Sequence, residues 1–272
     1  MLVITGVSAV IRPAIVGRRV TARDGIFYVL SIGLLLQVFR DGHATISEAL
    51  LFLGLYVAYL VVLYLWPRFM PEPLPEEEVV TDVLEQEIGI EETKTGVYYQ
   101  VTQFISRGLG LLTGDPHKSY GRAFIVAIII IVGISYLLVE SSVLLAGAIG
   151  VPSILVALTI LAAGSSAPDM IASALVAREG RGDMAISNAI GSNIFDITIG
   201  LGLPWLIVLL LRPGVVEIGN TGLWESALIL LGTVVILLIF MTTGRLLSRI
   251  EGAILIGLYI AYVVWIWFSN LT

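Results

Sequence analysis

Residues 159–204 read TILAAGSSAPDMIASALVAREGRGDMAISNAIGSNIFDITIGLGLP. This stretch places two carboxylates, Asp169 and Asp196, deep within long apolar segments. A carboxylate at the centre of a bilayer costs roughly 3 kcal/mol on insertion scales, so such residues are rare and tend to carry function. Their neighbours are Thr159, Ser165, Ser166, Asn188, Ser192 and Asn193, a set of hydroxyl and amide oxygens. Carboxylate, amide and hydroxyl oxygens without thiolates suit a hard cation such as Ca²⁺ or Na⁺ rather than a transition metal. These residues point to a membrane protein that moves cations.

Spacing orders the two segments further. Asn188, Ser192, Asp196 and Gly200 follow one another at intervals of four, so they share one helical face. Ile190, Ile194, Ile197 and Leu201 form another face, suited to lipid or to neighbouring helices. In the preceding segment Thr159, Ala162, Ser166, Asp169 and Ser173 alternate steps of three and four. Gly164 and Pro168 are expected to interrupt that helix, because proline removes an amide hydrogen and disturbs the carbonyl four residues back. Freed carbonyls in a membrane need partners, and broken helices with mid-membrane carboxylates mark the ion sites of secondary transporters.

The rest of the chain supports a membrane setting. It has 272 residues, 57% hydrophobic and only 13% charged, with mean hydropathy +0.98, against about 25% charged in a soluble domain. Apolar runs long enough to span a bilayer occur at 24–39 (short), 46–66, 122–140, 151–177, 184–211, 222–242 and 250–268. The expected fold is an all-α polytopic membrane protein, integral and multi-pass, in the plasma membrane or an intracellular membrane. Residues 2–11 are apolar but too few to span, and are expected to be the inner end of a helix.

Three regions follow: 1–66, a loop at 67–121, and 122–272. The loop opens with Pro67, Pro71, Pro73 and Pro75, which are expected to stop the preceding helix. Nine of the 21 acidic residues then lie between Glu72 and Glu92, with no Lys or Arg among them, a composition that suits a solvated linker. A short surface helix is expected within 97–121. Basic residues alternate between the connections. Arg12, Arg18, Arg19, Arg23, the basic residues of 67–122, Arg178, Arg181, Arg245 and Arg249 fall on one side, and Arg40 and Arg212 on the other. The positive-inside rule therefore puts 67–121 in the cytosol and Thr272 outside.

Several chemistries are excluded or set aside. With no cysteine there is no disulfide, Fe–S cluster or thiolate site. His43 and His117 fall in loops as surface residues. No phosphate-binding loop of Walker type is present, so ATP is not expected to be the energy source. No cofactor and no nucleic-acid partner is expected. The expected partners are membrane lipid and transported cations such as Ca²⁺ and Na⁺. Asp24, Glu48, Glu140, Glu225 and Glu251 are assigned to span ends, where headgroups and water solvate them, with Glu140 held as a candidate for an access path.

The blocks LTILAAGSSAPD, AREGRGDMAISN and GSNIFDITIGLGLPW, in order on two adjacent spans, resemble the second α-repeat of sodium/calcium exchangers. The potassium-dependent branch of that calcium/cation antiporter superfamily is the most similar. The resemblance is dense over 151–206 and extends over 122–268. It implies ten helices in two inverted repeats whose central helices enclose the ions. It makes Asp169 a principal Ca²⁺/Na⁺ carboxylate, with oxygens from Thr159, Ser166, Asn188 and Ser192, and places Asp196 at the position linked to K⁺. It also implies a second acidic motif in a first repeat, which this chain does not show before residue 122. MLVITGVSAV resembles the sequence just after that motif, so a complete site is expected to need the first repeat or the full-length chain. The expected activity is Ca²⁺/Na⁺ antiport with K⁺ co-transport by alternating access. The alternatives are a cation/proton antiporter of the same superfamily, a truncated non-transporting fragment and, remotely, an intramembrane aspartyl protease. The contexts of Asp169 and Asp196 match the protease pattern poorly.

Overall fold

The computed structural model describes residues 1–17, 20–69, 120–150, 156, 159, 161–212, 214–219, 223–243 and 246–271. The chain divides into two compact units, Met1–Glu72 with Ser166–Thr272, and Pro73–Ser165. The helices among the described residues are α1 (Leu2–Ile11), α2 (Gly25–Asp41), α3 (Ile46–Phe69), α4 (Tyr120–Ile149), α5 (Ala162–Arg178), α6 (Gly182–Leu211), α7 (Leu223–Thr242) and α8 (Arg249–Leu271). A π-helical turn, Val20–Asp24, leads into α2. Among the described residues six helices are long and apolar enough to cross a membrane, α5 is 17 residues long and α1 has ten. This is the expected all-α polytopic architecture.

Helix boundaries follow local chemistry. Helices α3 and α8 each begin with a capping box. The Thr45 backbone N–H donates to Glu48 Oε2 at 2.9 Å while the Glu48 N–H donates back to Thr45 Oγ1. Ser248 and Glu251 repeat the exchange, with the Ser248 N–H 2.8 Å from Glu251 Oε2. Glu48 and Glu251 are thus span-end residues, as expected. Helix α2 ends at Gly42, whose φ of 70° suits a left-handed terminus. Pro67 does not stop α3, which runs on to Phe69. A proline in the last turn forfeits one backbone hydrogen bond there, and the apolar segment tolerates the loss.

Two short antiparallel ribbons tie the ends of the larger unit. Ala14–Ile15 (β1) pairs with Leu246–Leu247 (β4), and His43–Ala44 (β2) with Val216–Glu217 (β3). Arg12 Nη1 also donates to the Arg178 carbonyl at 3.3 Å. One end of the unit therefore gathers the connections carrying Arg12, Arg178 and Arg249, and the other gathers those carrying Arg40 and Arg212. This is the grouping that the charge count gave. Arg23 departs from it, since it is an ion-paired residue inside the fold rather than a loop charge.

Packing within the unit depends on close helix contacts. Helix α1 lies on α8, α3 on α6, and α2 on both α6 and α7. A Cβ at Gly6 would stand 2.8 Å from the Gly252 carbonyl, and one at Gly252 would stand 2.7 Å from the Gly6 carbonyl. Small residues let membrane helices approach this closely. A Cβ at Gly202 would meet Phe52 Cβ at 2.8 Å, which sets the α3–α6 spacing. Tyr28, Ile32, Phe52, Ile190, Ile194 and Leu237 form the centre of the core. The isoleucine face of α6 therefore packs on neighbouring helices rather than on lipid.

In the second unit, α4 is longer than the expected 122–140. Glu140 lies inside its apolar span, Ile128–Ala148, and not at an end. The sequence reading stopped the helix at the first charge, but one carboxylate is not enough to end a 30-residue helix. The acidic stretch 72–92 and most of the surface helix expected within 97–121 fall outside the described residues.

Candidate cation site

Helices α5 and α6 bring the expected carboxylate and hydroxyl groups together. Ser192 Oγ donates to Asp169 Oδ2 at 2.6 Å, a short charge-assisted bond across 23 residues of sequence. One turn earlier Asn188 Nδ2 donates to Ser173 Oγ at 3.0 Å, and Ser173 Oγ donates to the Ala185 carbonyl at 3.3 Å. The Asn188 side-chain carbonyl oxygen remains available to a ligand. Asp196 lies one turn beyond Ser192 on the same face of α6. The ladder Asn188, Ser192, Asp196 advances about 6 Å per step along the helix axis.

This face is open. Asn188 and Asp196 are exposed, and Asp169, Ser192 and Ser166 are half-buried. Among the described residues Asp169 accepts a single hydrogen bond and Asp196 none. Two carboxylates with spare lone pairs, beside hydroxyl and amide oxygens, can take up a hard cation. No three His, Asp or Glu side chains converge among the described residues, so two acidic residues supply the local negative charge.

Pro168 lies inside α5 rather than between two half-helices. The expected interruption at Gly164–Pro168 is instead a continuous helix from Ala162, with wide π turns at Thr159 and Leu161 before it. Thr159 and Ser165 belong to the second unit, where Ser165 Oγ donates to the Ala162 carbonyl at 3.1 Å.

Asn193 is turned away from Asp169. Its Nδ2 donates to the Ala189 carbonyl at 2.8 Å, and its Oδ1 accepts Tyr28 Oη at 3.4 Å. It belongs to a second polar seam, along α2 and α3, that the sequence reading missed. The centre of that seam is Asp24, which is fully buried and not solvated at a span end. Oδ1 of Asp24 accepts Arg23 Nε at 2.6 Å and Tyr59 Oη at 3.3 Å. Oδ2 accepts Arg23 Nη2 at 3.1 Å and Ser187 Oγ at 2.7 Å. The readable signal was the run Asp24, Tyr28, Ser31, whose steps of four and three lie on one face of an otherwise apolar helix.

Comparison with known proteins adds an independent line. A sequence model of the sodium/calcium exchanger protein family matches residues 1–65 and 121–268. Sodium/potassium/calcium exchanger 4 of Mus musculus is 40% identical over 154 residues, which is 56% of this chain but only 24% of that protein. The chain thus corresponds to about a quarter of the length of such mammalian relatives. The putative antiporter CaxA of Alkalimonas amylolytica is 30% identical over 264 residues, covering 96% of this chain and 73% of CaxA. Among solved structures, the H⁺/Ca²⁺ exchanger CAX aligns with a TM-score of 0.59 at 17% identity, over 97% of this chain and 64% of CAX. That likeness shows the fold. The relatives are exchangers and antiporters, and the protease reading is set aside.

Proposed function

The chain belongs to the sodium/calcium exchanger family, and we propose that it serves secondary active antiport of Ca²⁺ for Na⁺ with K⁺ co-transport. The observation that carries this reading is the Asp169–Ser192 pair, with Asp196 one turn away on the open polar face of α6. Asp169 is the main counter-charge for Ca²⁺ or Na⁺. Ser192, Ser166 and the carbonyl oxygen of Asn188 add neutral oxygens. Ca²⁺ takes about six to eight oxygen ligands, so water and residues beyond this set complete its shell. Competition of Ca²⁺ and Na⁺ for one carboxylate-centred site couples the two fluxes, and alternating access opens that site to each side in turn. Asp196 adds a second charge, which favours co-binding of a large, weakly hydrated cation such as K⁺. The names of the sodium/potassium/calcium exchanger relatives support the ion set. Orientation follows the charge grouping, with the ribbon of β1 and β4 at the cytosolic end.

The test is ⁴⁵Ca²⁺ uptake into vesicles carrying a version of the protein with a complete site, driven in turn by a Na⁺ gradient and by a pH gradient. The expected result is uptake under the Na⁺ gradient that rises when K⁺ replaces an inert organic cation. Uptake under the pH gradient alone would replace this reading with a cation/proton antiporter.

A further inference from the structure

Helix α6 reaches both polar regions, and the buried one bears on the open one. Ser187 and Asn188 are adjacent in sequence but serve opposite sides. Ser187 donates to Asp24, whereas Asn188 donates to Ser173 beside the open face. Asn193, a turn and a half after Ser187, accepts from Tyr28 of α2. Two bonds at that separation fix both the height and the rotation of a helix. About 100° of rotation separates consecutive residues, so a modest turn of α6 would carry Asn188 and Ser192 away from α5.

Asp24 is suited to anchoring and unsuited to holding a transported cation. Each of its oxygens already accepts two hydrogen bonds, and the residue is fully buried. Arg23, itself only 13% exposed, neutralises it. The π-helical turn that ends at Asp24 widens the backbone at this point, and Tyr59 joins the cluster from α3. One carboxylate therefore ties the start of α2, the middle of α3 and the first third of α6.

We propose that Asp24 is a positioning residue for the cation site, setting the rotation of α6 through Ser187 so that Asn188 and Ser192 face α5. The cation-binding part of this statement rests on the exchanger reading above, whereas the rotational part does not.

The test uses the Cys-free background. A Ser173→Cys, Asn188→Cys pair reports the approach of α5 and α6 through its rate of cross-linking by a short bifunctional thiol reagent, with no cation needed. Ser187→Ala removes one bond to Asp24 and leaves three, so the protein still folds. It is expected to slow cross-linking by about tenfold or more, the worth of one hydrogen bond to a charged group. Ser187→Thr, which keeps the hydroxyl, is expected to restore the rate. Ser31→Ala removes a buried bond to the Tyr28 carbonyl within α2, and it is expected to lower the melting temperature without changing the rate. With the natural Ser173 and Asn188, Ser187→Ala is further expected to raise the Ca²⁺ concentration for half-maximal uptake more than it lowers the maximal rate. An unchanged cross-linking rate in Ser187→Ala, or an equal slowing in Ser31→Ala, would overturn the proposal. Slowed cross-linking together with no Ca²⁺ uptake by a version with a complete site would leave the rotation standing and reject the exchanger reading instead.

Discussion

Helix α6 presents two polar faces that meet opposite fates. On one, Ser187 and Asn193 are bound into a seam whose central carboxylate, Asp24, is fully buried and accepts four hydrogen bonds. On the other, Asn188, Ser192 and Asp196 face outward, and the carboxylates Asp169 and Asp196 share one hydrogen bond among the described residues. The difference teaches how to sort carboxylates within a membrane protein. A buried charge is stable only when paired and hydrogen-bonded, and a carboxylate so saturated has nothing left to offer a cargo. A carboxylate with spare lone pairs on an open face can exchange ligands as the cation comes and goes.

The sharpest way to break this contrast is to neutralise one carboxylate on each face and compare stability. Asp24→Asn leaves Arg23 without its counter-charge inside the fold, and is expected to cost about 3 kcal/mol or more, seen as a large fall in melting temperature or in yield of folded protein. Asp169→Asn should change melting only slightly, because the weaker bond from Ser192 is offset by relief of the repulsion with Asp196. The reverse ranking would invert the assignment of the two faces.

Two glycines on α6 sharpen the contrast. Gly202 faces α3, where a Cβ would stand 2.8 Å from Phe52 Cβ, whereas Gly200 has only the Phe195 carbonyl at 4.0 Å. Gly202→Leu is expected to destabilise by about 1–3 kcal/mol through overpacking, and Gly200→Ala to be neutral or slightly stabilising, since alanine is the better helix former. Thermal melts in detergent read both.

A smaller effect separates the two carboxylates of the open face. Asp196→Asn is expected to abolish the stimulation of Ca²⁺ uptake by K⁺, or to weaken uptake severalfold, while the preference for Na⁺ and Ca²⁺ is kept. Flux in K⁺ and in an inert organic cation measures it. Full K⁺ stimulation in this variant would remove Asp196 from the potassium role.

The open face was legible in the sequence, and the buried one was not. Steps of four from Asn188 to Gly200 report a helical face directly, and the apolar runs placed α3 and α6 within a few residues. Asp24 was misread because its partners come from three separate segments, one of them 163 residues away. A carboxylate at the start of an apolar run looks the same whether water or a tyrosine, a serine and an arginine receive it. Glu140 was misread for a related reason, since a single charge resembles a boundary until the helix is seen to continue on both sides. The paired ribbons of two residues each carry no periodicity to detect, yet the alternation of arginines had grouped the same connections.

The central claim is that Asp169 is the principal ligand of the transported cation. The most direct measurement is Na⁺-gradient-driven ⁴⁵Ca²⁺ uptake by Asp169→Asn in a version of the protein with a complete site, in vesicles matched for folded protein. Loss of the counter-charge for a divalent ion should reduce uptake to background, a larger loss than either Ser166→Ala or Ser192→Ala causes. Uptake at the level of the unsubstituted protein would contradict the account.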